Sequence, residues 1–165
     1  MTGTHVGAAK TAGFEIVRAG AEHLDFCVPL FNAYRQFYKL PSNEAAARRF
    51  LHARLVKGEA VIFLALECAG AGPARRVLGF TLLYPTFSSL SMRPWWTLND
   101  LYVVPAARQR GVARALLERA RLLATETGAS GLGLETAADN LPAQKLYEQF
   151  GWHRDTQSFR YELKV

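Results

Sequence analysis

Apolar residues recur along this chain at more than one spacing, and each spacing predicts an element. Phe14–Arg18 reads as a short extended segment. After Gly20, the residues Leu24, Cys27, Val28, Phe31, Tyr34 and Tyr38 fall at helical spacing, predicting a first helix that Pro29 either kinks or restarts. Pro41 interrupts, Ser42 or Asn43 can cap, and Ala47, Phe50, Leu51 and Leu55 mark a second helix that stops near Gly58. Residues 60–67 and 77–84 are apolar, partly β-branched runs joined by a Gly- and Ala-rich stretch at 68–74, a hairpin pattern. Residues 95–104 read as a long strand ended by Pro105. Its apolar positions do not alternate strictly, which predicts burial on both faces in the middle of a sheet.

From Gly111 onward, Val112, Leu116, Ala120 and Leu123 form one stripe, opposite Arg114, Glu118 and Arg121; this is an amphipathic helix. Residues 131–136 follow as a strand. Asn140 then caps a helix with Pro142 in its first turn and Phe150 in its last, stopped by Gly151. Residues 159–163 are predicted to close the sheet.

Length and composition add bounds. A chain of 165 residues, half of them apolar, has the size of one domain with a proper core; a flexible tail over 1–12 and a single domain over 13–165 are expected. The two cysteines, Cys27 and Cys68, lack metal-ligand or disulfide spacing and are expected to pack as small apolar residues, with no metal bound. The longest apolar run, 60–66, is too short to span a bilayer, so a cytoplasmic protein without a membrane partner is expected. The formal charge is +6, but its distribution matters more: Arg108, Arg110, Arg114, Arg119 and Arg121 lie close together with one acid, Glu118, while the other fifteen basic residues mix with thirteen acids. That predicts one local anion site. A nucleic-acid partner is not expected, since no helix-turn-helix, zinc-finger or RRM pattern occurs.

The segment 103–113 is a strand, a turn and a helix opening with Gly111, Val112 and Ala113. A helix start presents unpaired N–H groups and a partial positive charge, which suits a phosphate or pyrophosphate, and Arg108, Arg110 and Arg114 add donors. The same pattern also describes an ordinary strand-to-helix turn with solvated arginines. Neither a P-loop nor the dinucleotide G-x-G-x-x-G spacing is present.

Four signals in order carry a family resemblance: Leu98-Asn99-Asp100-Leu101-Tyr102-Val103, then Arg108-Gln109-Arg110-Gly111-Val112-Ala113, then Asn140-Leu141-Pro142-Ala143, then Tyr147 with Phe150-Gly151-Trp152. Together they resemble the coenzyme-binding half of the GNAT family of N-acetyltransferases. With Tyr84-Pro85-Thr86-Phe87-Ser88, they are similar in particular to its diamine acetyltransferase branch and related amine acetyltransferases. The resemblance implies an α/β (α+β) fold with a mixed, mostly antiparallel, splayed sheet of six to seven strands and about four helices. The splay is expected between the strands at 95 and 131. It also implies acetyl-CoA as co-substrate, a small-molecule amine as acceptor, and a homodimer. By resemblance, the backbone of Leu101, Tyr102 and Val103 pairs with the pantetheine arm. Arg108, Gln109, Arg110, Gly111, Val112, Ala113 and Arg114 hold the pyrophosphate, Asn140, Pro142 and Ala143 line the coenzyme, and Tyr147 sits by its sulfur.

Acetyl transfer to an amine needs a proton acceptor, an oxyanion donor and an acid for the leaving thiolate. Tyr147, with a reference pKa near ~10, suits the last, and a backbone N–H of the 101–103 strand suits the second. Diamine acetyltransferases carry Glu where this chain has Asn99, so the base is Asp100 or a water beside it held by Asn99, then Glu135. Asp100 also reads as a structurally paired buried carboxylate. Tyr34, Phe37, Tyr38, Phe87, Trp95 and Trp96 offer an aromatic wall for an amine. A protein lysine or N-terminal acetyltransferase and a non-catalytic coenzyme-A sensor are the competing functions.

Overall fold

The two apolar runs at 60–67 and 77–84 form the centre of a sheet. In a computed structural model, which describes residues 10–11, 13–68 and 75–165, β3 (Val61–Glu67) pairs antiparallel with β4 (Val77–Ser88). The hairpin connection expected at 68–74 lies, apart from Cys68, outside the described residues. β2 (Phe14–Arg18) pairs antiparallel with β3, and β1 (Lys10–Thr11), within the stretch expected to be a flexible tail, pairs antiparallel with β2. On the other side, β5 (Arg93–Val103) runs antiparallel to β4, and β6 (Leu132–Leu134) runs parallel to β5. The order is β1-β2-β3-β4-β5-β6.

Among the described residues, five strands of three residues or more therefore carry the sheet, rather than six or seven, and β1 adds a two-residue pairing at one edge. Residues 159–163 do not form the closing strand. Just before them the Asp155 carboxylate accepts hydrogen bonds from the N–H groups of Gln157 (2.8 Å) and Ser158 (3.2 Å) and from the Ser158 hydroxyl, fixing a turn in place of extended backbone. Alternation alone makes a strand only where a ladder forms.

Among the described residues, four α-helices accompany the sheet. α1 (Leu24–Phe37) runs through Pro29 as one helix, after a 3-10 turn at Ala21–His23. α2 (Glu44–Val56) begins at Asn43, whose side chain accepts from Ala46 N at 2.9 Å. α3 spans Val112–Glu126 and α4 Leu141–Gln149. The chain divides into two compact units, one ending at Glu135 and one from Thr136 to Val165 that contains α4.

In the first unit every residue from Val61 to Leu66 is buried, because helices cover both faces of the sheet. Ile62, Leu64, Phe80 and Leu82 pack with Leu24, Cys27, Val28, Leu30, Ala47 and Leu51 of α1 and α2. The opposite face receives Val112, Leu116, Leu117, Ala120 and Leu123 of α3, and the Arg119 guanidinium lies 4.5 Å from the Phe63 ring centre. Each fully buried leucine of this kind stabilises the fold by roughly 1.5–3 kcal/mol. Cys27 lies in the first layer, where burial pushes its thiol up to about 12; Cys68, expected to be packed, is exposed at the end of β3.

The register of β4 and β5 contains one irregularity. Leu83 faces Leu98 and Leu82 faces Asp100, so Asn99 is an extra residue, a β-bulge. Close approach of these strands is also visible at Gly79, where a Cβ would stand 2.5 Å from Tyr102 O and 3.2 Å from Val103 Cα. Gly79→Ala is therefore expected to lower unfolding free energy by about 1–3 kcal/mol, measured by urea denaturation. A variant as stable as the parent would contradict this close pairing.

Candidate active site

β6 ends at Leu134, opposite Leu98, whereas β5 continues to Val103. Past Leu98 the strand keeps a ladder partner on the β4 side only. Which backbone groups face the vacated side follows from two hydrogen bonds. Trp96 N donates to Gly131 O (3.1 Å) on the β6 side, and Val104 N donates to Leu78 O (2.9 Å) on the β4 side. In a regular strand, residues an even number apart aim their N–H groups the same way; the bulge at Asn99 absorbs the mismatch. Counting back from Val104, Tyr102 and Asp100 face β4, and Leu101 and Val103 face the open side. Of the three residues expected to meet an extended ligand, Leu101 and Val103 thus present their backbone, while Tyr102 is committed to its pairing with Phe80.

The strand leads into a 3-10 turn, Pro105–Ala107, and then α3. Gln109 (φ 59°) and Gly111 (φ 80°) are both left-handed, which costs a glycine little and any other residue more. α3 has no side-chain cap, unlike α2 and α4. Its first helical bond runs from Ala115 N to Gly111 O (3.0 Å), so the N–H groups of Val112 and Ala113 come before the ladder begins. The space where a Gly111 Cβ would point holds no atom within 4 Å. The arginines are less uniform than the sequence suggested. Arg110 Nη2 lies 3.0 Å from Glu67 Oε1, and Arg108 Nε donates to Val103 O at 3.4 Å. Arg114 lies along α3 near Glu118, whose carboxyl is held below its usual range by a hydrogen bond from Arg121, with Arg114 adding to the effect.

The same bulge turns Asp100 toward α1 and α2. Trp96, before it, faces the other way and donates from Nε1 to Thr127 Oγ1 at the end of α3 (2.8 Å). Asp100 is only 3% exposed. Its Oδ1 accepts from Asn99 Nδ2 at 3.0 Å, and its Oδ2 is buried without a hydrogen-bond partner. It forms no ion pair among the described residues, and the polar side chains beside it are Asn99 and Tyr34. Burial pushes its pKa up to about 6, against the opposing pull of the Tyr34 hydroxyl and of Asn99. Tyr34 itself is raised by burial and then by the Asp100 charge, and Tyr84 is raised to about 12 by the same two causes, offset in part by Arg54.

Aromatic rings frame this carboxylate. Tyr34 packs on Phe80 (6.0 Å between ring centres), Tyr102 (6.4 Å), Tyr38 (5.1 Å) and Phe31 (6.5 Å). Phe31 stacks on Phe50 at 5.7 Å, and the Arg54 guanidinium sits 5.3 Å from the Phe50 ring. Of the expected aromatic wall, Tyr34 and Tyr38 are here, with Phe37 edge-on to Tyr38 at 5.3 Å. Trp96 is on the opposite face because of the bulge, and Phe87 is 83% exposed. Trp95 lies flat over β6, where a Cβ on Gly131 would come 2.6 Å from its ring. Glu135 follows β6 and is exposed. The link between Tyr34 and Asp100 was not legible in the sequence, since 66 residues separate them and Tyr34 satisfies an ordinary helical stripe.

The second unit is described by itself. Asn140 Oδ1 caps α4 through Ala143 N (3.4 Å), Pro142 lies in the first turn, and the half-buried Tyr147 ring is 6.1 Å from Trp152. Among the described residues no group of three or more His, Cys, Asp or Glu is arranged to hold a metal, and no helix is long and apolar enough to cross a membrane.

Comparison with known proteins agrees with this architecture. Residues 27–152 match the model of the acetyltransferase (GNAT) family. The uncharacterized N-acetyltransferase YhfO of Bacillus subtilis (strain 168) is 46% identical over 137 residues, covering 83% of this chain and 88% of its own. A crystal structure of a probable acetyltransferase superposes with a TM-score of 0.81 at 45% identity, covering 91% of this chain and 97% of that one. The aminoglycoside N-acetyltransferase AAC(6')-Iy in complex with CoA shares the fold, with a TM-score of 0.75 at 19% identity, over 98% and 99% of the two chains.

A carboxyl whose folded pKa lies above its ordinary value of 3.8 weakens the fold as pH rises through that range. The penalty is absent below about pH 4 and complete above about pH 6. Asp100→Asn removes it, so the stability of the variant relative to the parent is expected to improve from pH 4 to pH 7.5 by roughly 2 kcal/mol. Chemical denaturation at both pH values checks this, and a pH-independent difference would show that Asp100 is not held out of water.

Proposed function

Because the chain belongs to the acetyltransferase (GNAT) family and is an acyltransferase, we propose that it moves an acetyl group from acetyl-CoA directly to a primary amine of a small molecule. The observation that carries this reading is the buried, unpartnered Oδ2 of Asp100, one residue from the strand edge that β6 leaves open. Such an oxygen is costly to leave unsatisfied, and an acceptor ammonium or a water beside it supplies the missing donor. With a pKa near 6, Asp100 is ionised at neutral pH yet basic enough to take the amine proton, which is the compromise general-base catalysis requires. Asn99 holds Oδ1 and keeps the other oxygen turned to the acceptor.

The remaining roles are those that the resemblance to the family implies. The backbone of Leu101 and Val103 pairs with the pantetheine arm, and the N–H of Leu101 receives charge from the carbonyl oxygen as the amine adds. The start of α3, with Gln109, Gly111 and the neighbouring arginines, takes the pyrophosphate. Asn140, Pro142 and Ala143 line the coenzyme. Tyr147 gives its proton to the departing sulfur as the C–S bond breaks. AAC(6')-Iy in complex with CoA supports the choice of coenzyme. A carboxylate with raised proton affinity favours catalysis over a coenzyme sensor.

Among the described residues, the charged side chains that touch the aromatic frame around Asp100 are arginines, Arg35 and Arg54, the second already paired with Glu59. A long polyamine of the diamine branch is therefore disfavoured against a smaller amine or an amino acid. Exposed Phe159, Tyr161, Leu163 and Val165 alternate with polar residues, and this supports the homodimer, paired through that segment. The cytoplasm, where acetyl-CoA is made and used, is the expected location.

Thiol release from acetyl-CoA against pools of amino acids, polyamines, aminoglycosides and lysine peptides tests the activity. kcat/KM is expected to rise with pH on a limb set by Asp100 near pH 6. Asp100→Asn is expected to lower it by about 10²–10⁴-fold and remove that limb. Tyr147→Phe is expected to lower kcat while coenzyme binding, followed by calorimetry, stays intact. Failure of the parent to bind acetyl-CoA would overturn the reading.

A further inference from the structure

α1 and α2 enclose a second feature beside the Asp100 frame. A pocket of about 290 Å³ opens between them, lined by Phe31, Arg35, Ala46, Ala47 and Phe50. Phe31 and Phe50 are the stacked pair already described, and Phe31 touches Tyr34, which faces Asp100. Pocket and carboxylate therefore share one aromatic boundary. Arg35 is half-buried, and its guanidinium makes no ion pair or hydrogen bond among the described residues. The contrast with its neighbours is direct: Arg48 pairs with Asp25 and Arg54 with Glu59, both at 2.6 Å. Glu44, on the first turn of α2 next to the pocket, forms no pair with it either. The positive end of the α2 dipole adds to the local potential.

A half-buried guanidinium in an aromatic pocket, lacking a counter-charge, is matched by an anion on an apolar body. We propose that Arg35 binds a carboxylate of the acetyl acceptor, whose apolar or aromatic body lies along Phe31 and Phe50 and whose amine reaches Asp100. The acceptor class is then an amino carboxylate with its two charged ends separated by several bonds, not a polyamine and not an unsubstituted amine. The proposal rests on the assignment of Asp100 to the acceptor amine and adds the group that recognises the other end.

Two readouts separate this inference from the assignment beneath it. The first is kcat/KM for 4-(aminomethyl)benzoate and 6-aminohexanoate against benzylamine and hexylamine, in the parent and in Arg35→Gln. The carboxylates are expected to be preferred by about tenfold or more. Arg35→Gln should abolish that preference through KM and leave the neutral amines unchanged. The second readout needs no turnover: calorimetric binding of the N-acetylated product of 4-(aminomethyl)benzoate and of N-benzylacetamide to the coenzyme-A complex. Tighter binding of the carboxylate product, lost in Arg35→Gln, supports the pocket even if Asp100 were not the base. Equal binding of both products, no binding of the carboxylate product, or an equal loss for both in Arg35→Gln overturns it.

Discussion

One inserted residue organises the functional half of this protein. With Asn99 held in a regular ladder instead of a bulge, β5 would continue its alternation from Trp96 and Leu98, and Asp100 would face α3. The bulge reverses the alternation. It turns Asp100 and Tyr102 to the α1 and α2 face and sends the N–H groups of Leu101 and Val103 to the side that β6 leaves open. The proposed base and the proposed coenzyme edge are thus fixed together by the backbone, and neither depends on a flexible loop. Strand ladders on the β4 side make that backbone stiff, and Gly79 lets the two strands approach closely enough to keep it so.

The second constraint is the expense of a carboxylate with water removed from both oxygens. Asn99 satisfies one oxygen, and the other is buried without a hydrogen-bond partner. The protein tolerates this because the surrounding sheet is well covered: β3 is buried along most of its length, and α3 contributes a continuous apolar stripe. Local instability at the site is offset by packing elsewhere, and it is the unsatisfied oxygen that the proposed mechanism uses.

Much of this was legible in the sequence. α2 and α4 follow from apolar spacing and from their caps, α3 from its apolar stripe, and the strands from the β-branched runs read at 60–67 and 77–84, the second of which continues to Ser88. The absence of strict alternation in 95–104, read as burial on both faces, has a more specific cause. Trp96 and Leu98 obey one phase and Asp100 and Tyr102 the other, and the phase change is the bulge. A sequence pattern records the change but not its direction. The Tyr34–Asp100 pairing, the tether from Arg110 to Glu67 and the unpaired state of Arg35 depend on long-range packing, which leaves no local signature. The strand expected at 159–163 failed for the converse reason: its alternation is real, but the turn held by Asp155 precedes it and no ladder partner is present in its own unit.

The indole of Trp95, spread over Gly133 of β6 and Gly131 just before it, has an evolutionary consequence. Side-chain volume at positions 95, 131 and 133 is shared, because a Cβ on Gly131 would enter the Trp95 ring and one on Gly133 would come 3.1 Å from its Nε1. Drift at these positions is then coupled: a descendant of this sequence can acquire a side chain at position 131 only with movement or loss of the ring on β5, and one at position 133 only where that ring yields by a few tenths of an ångström.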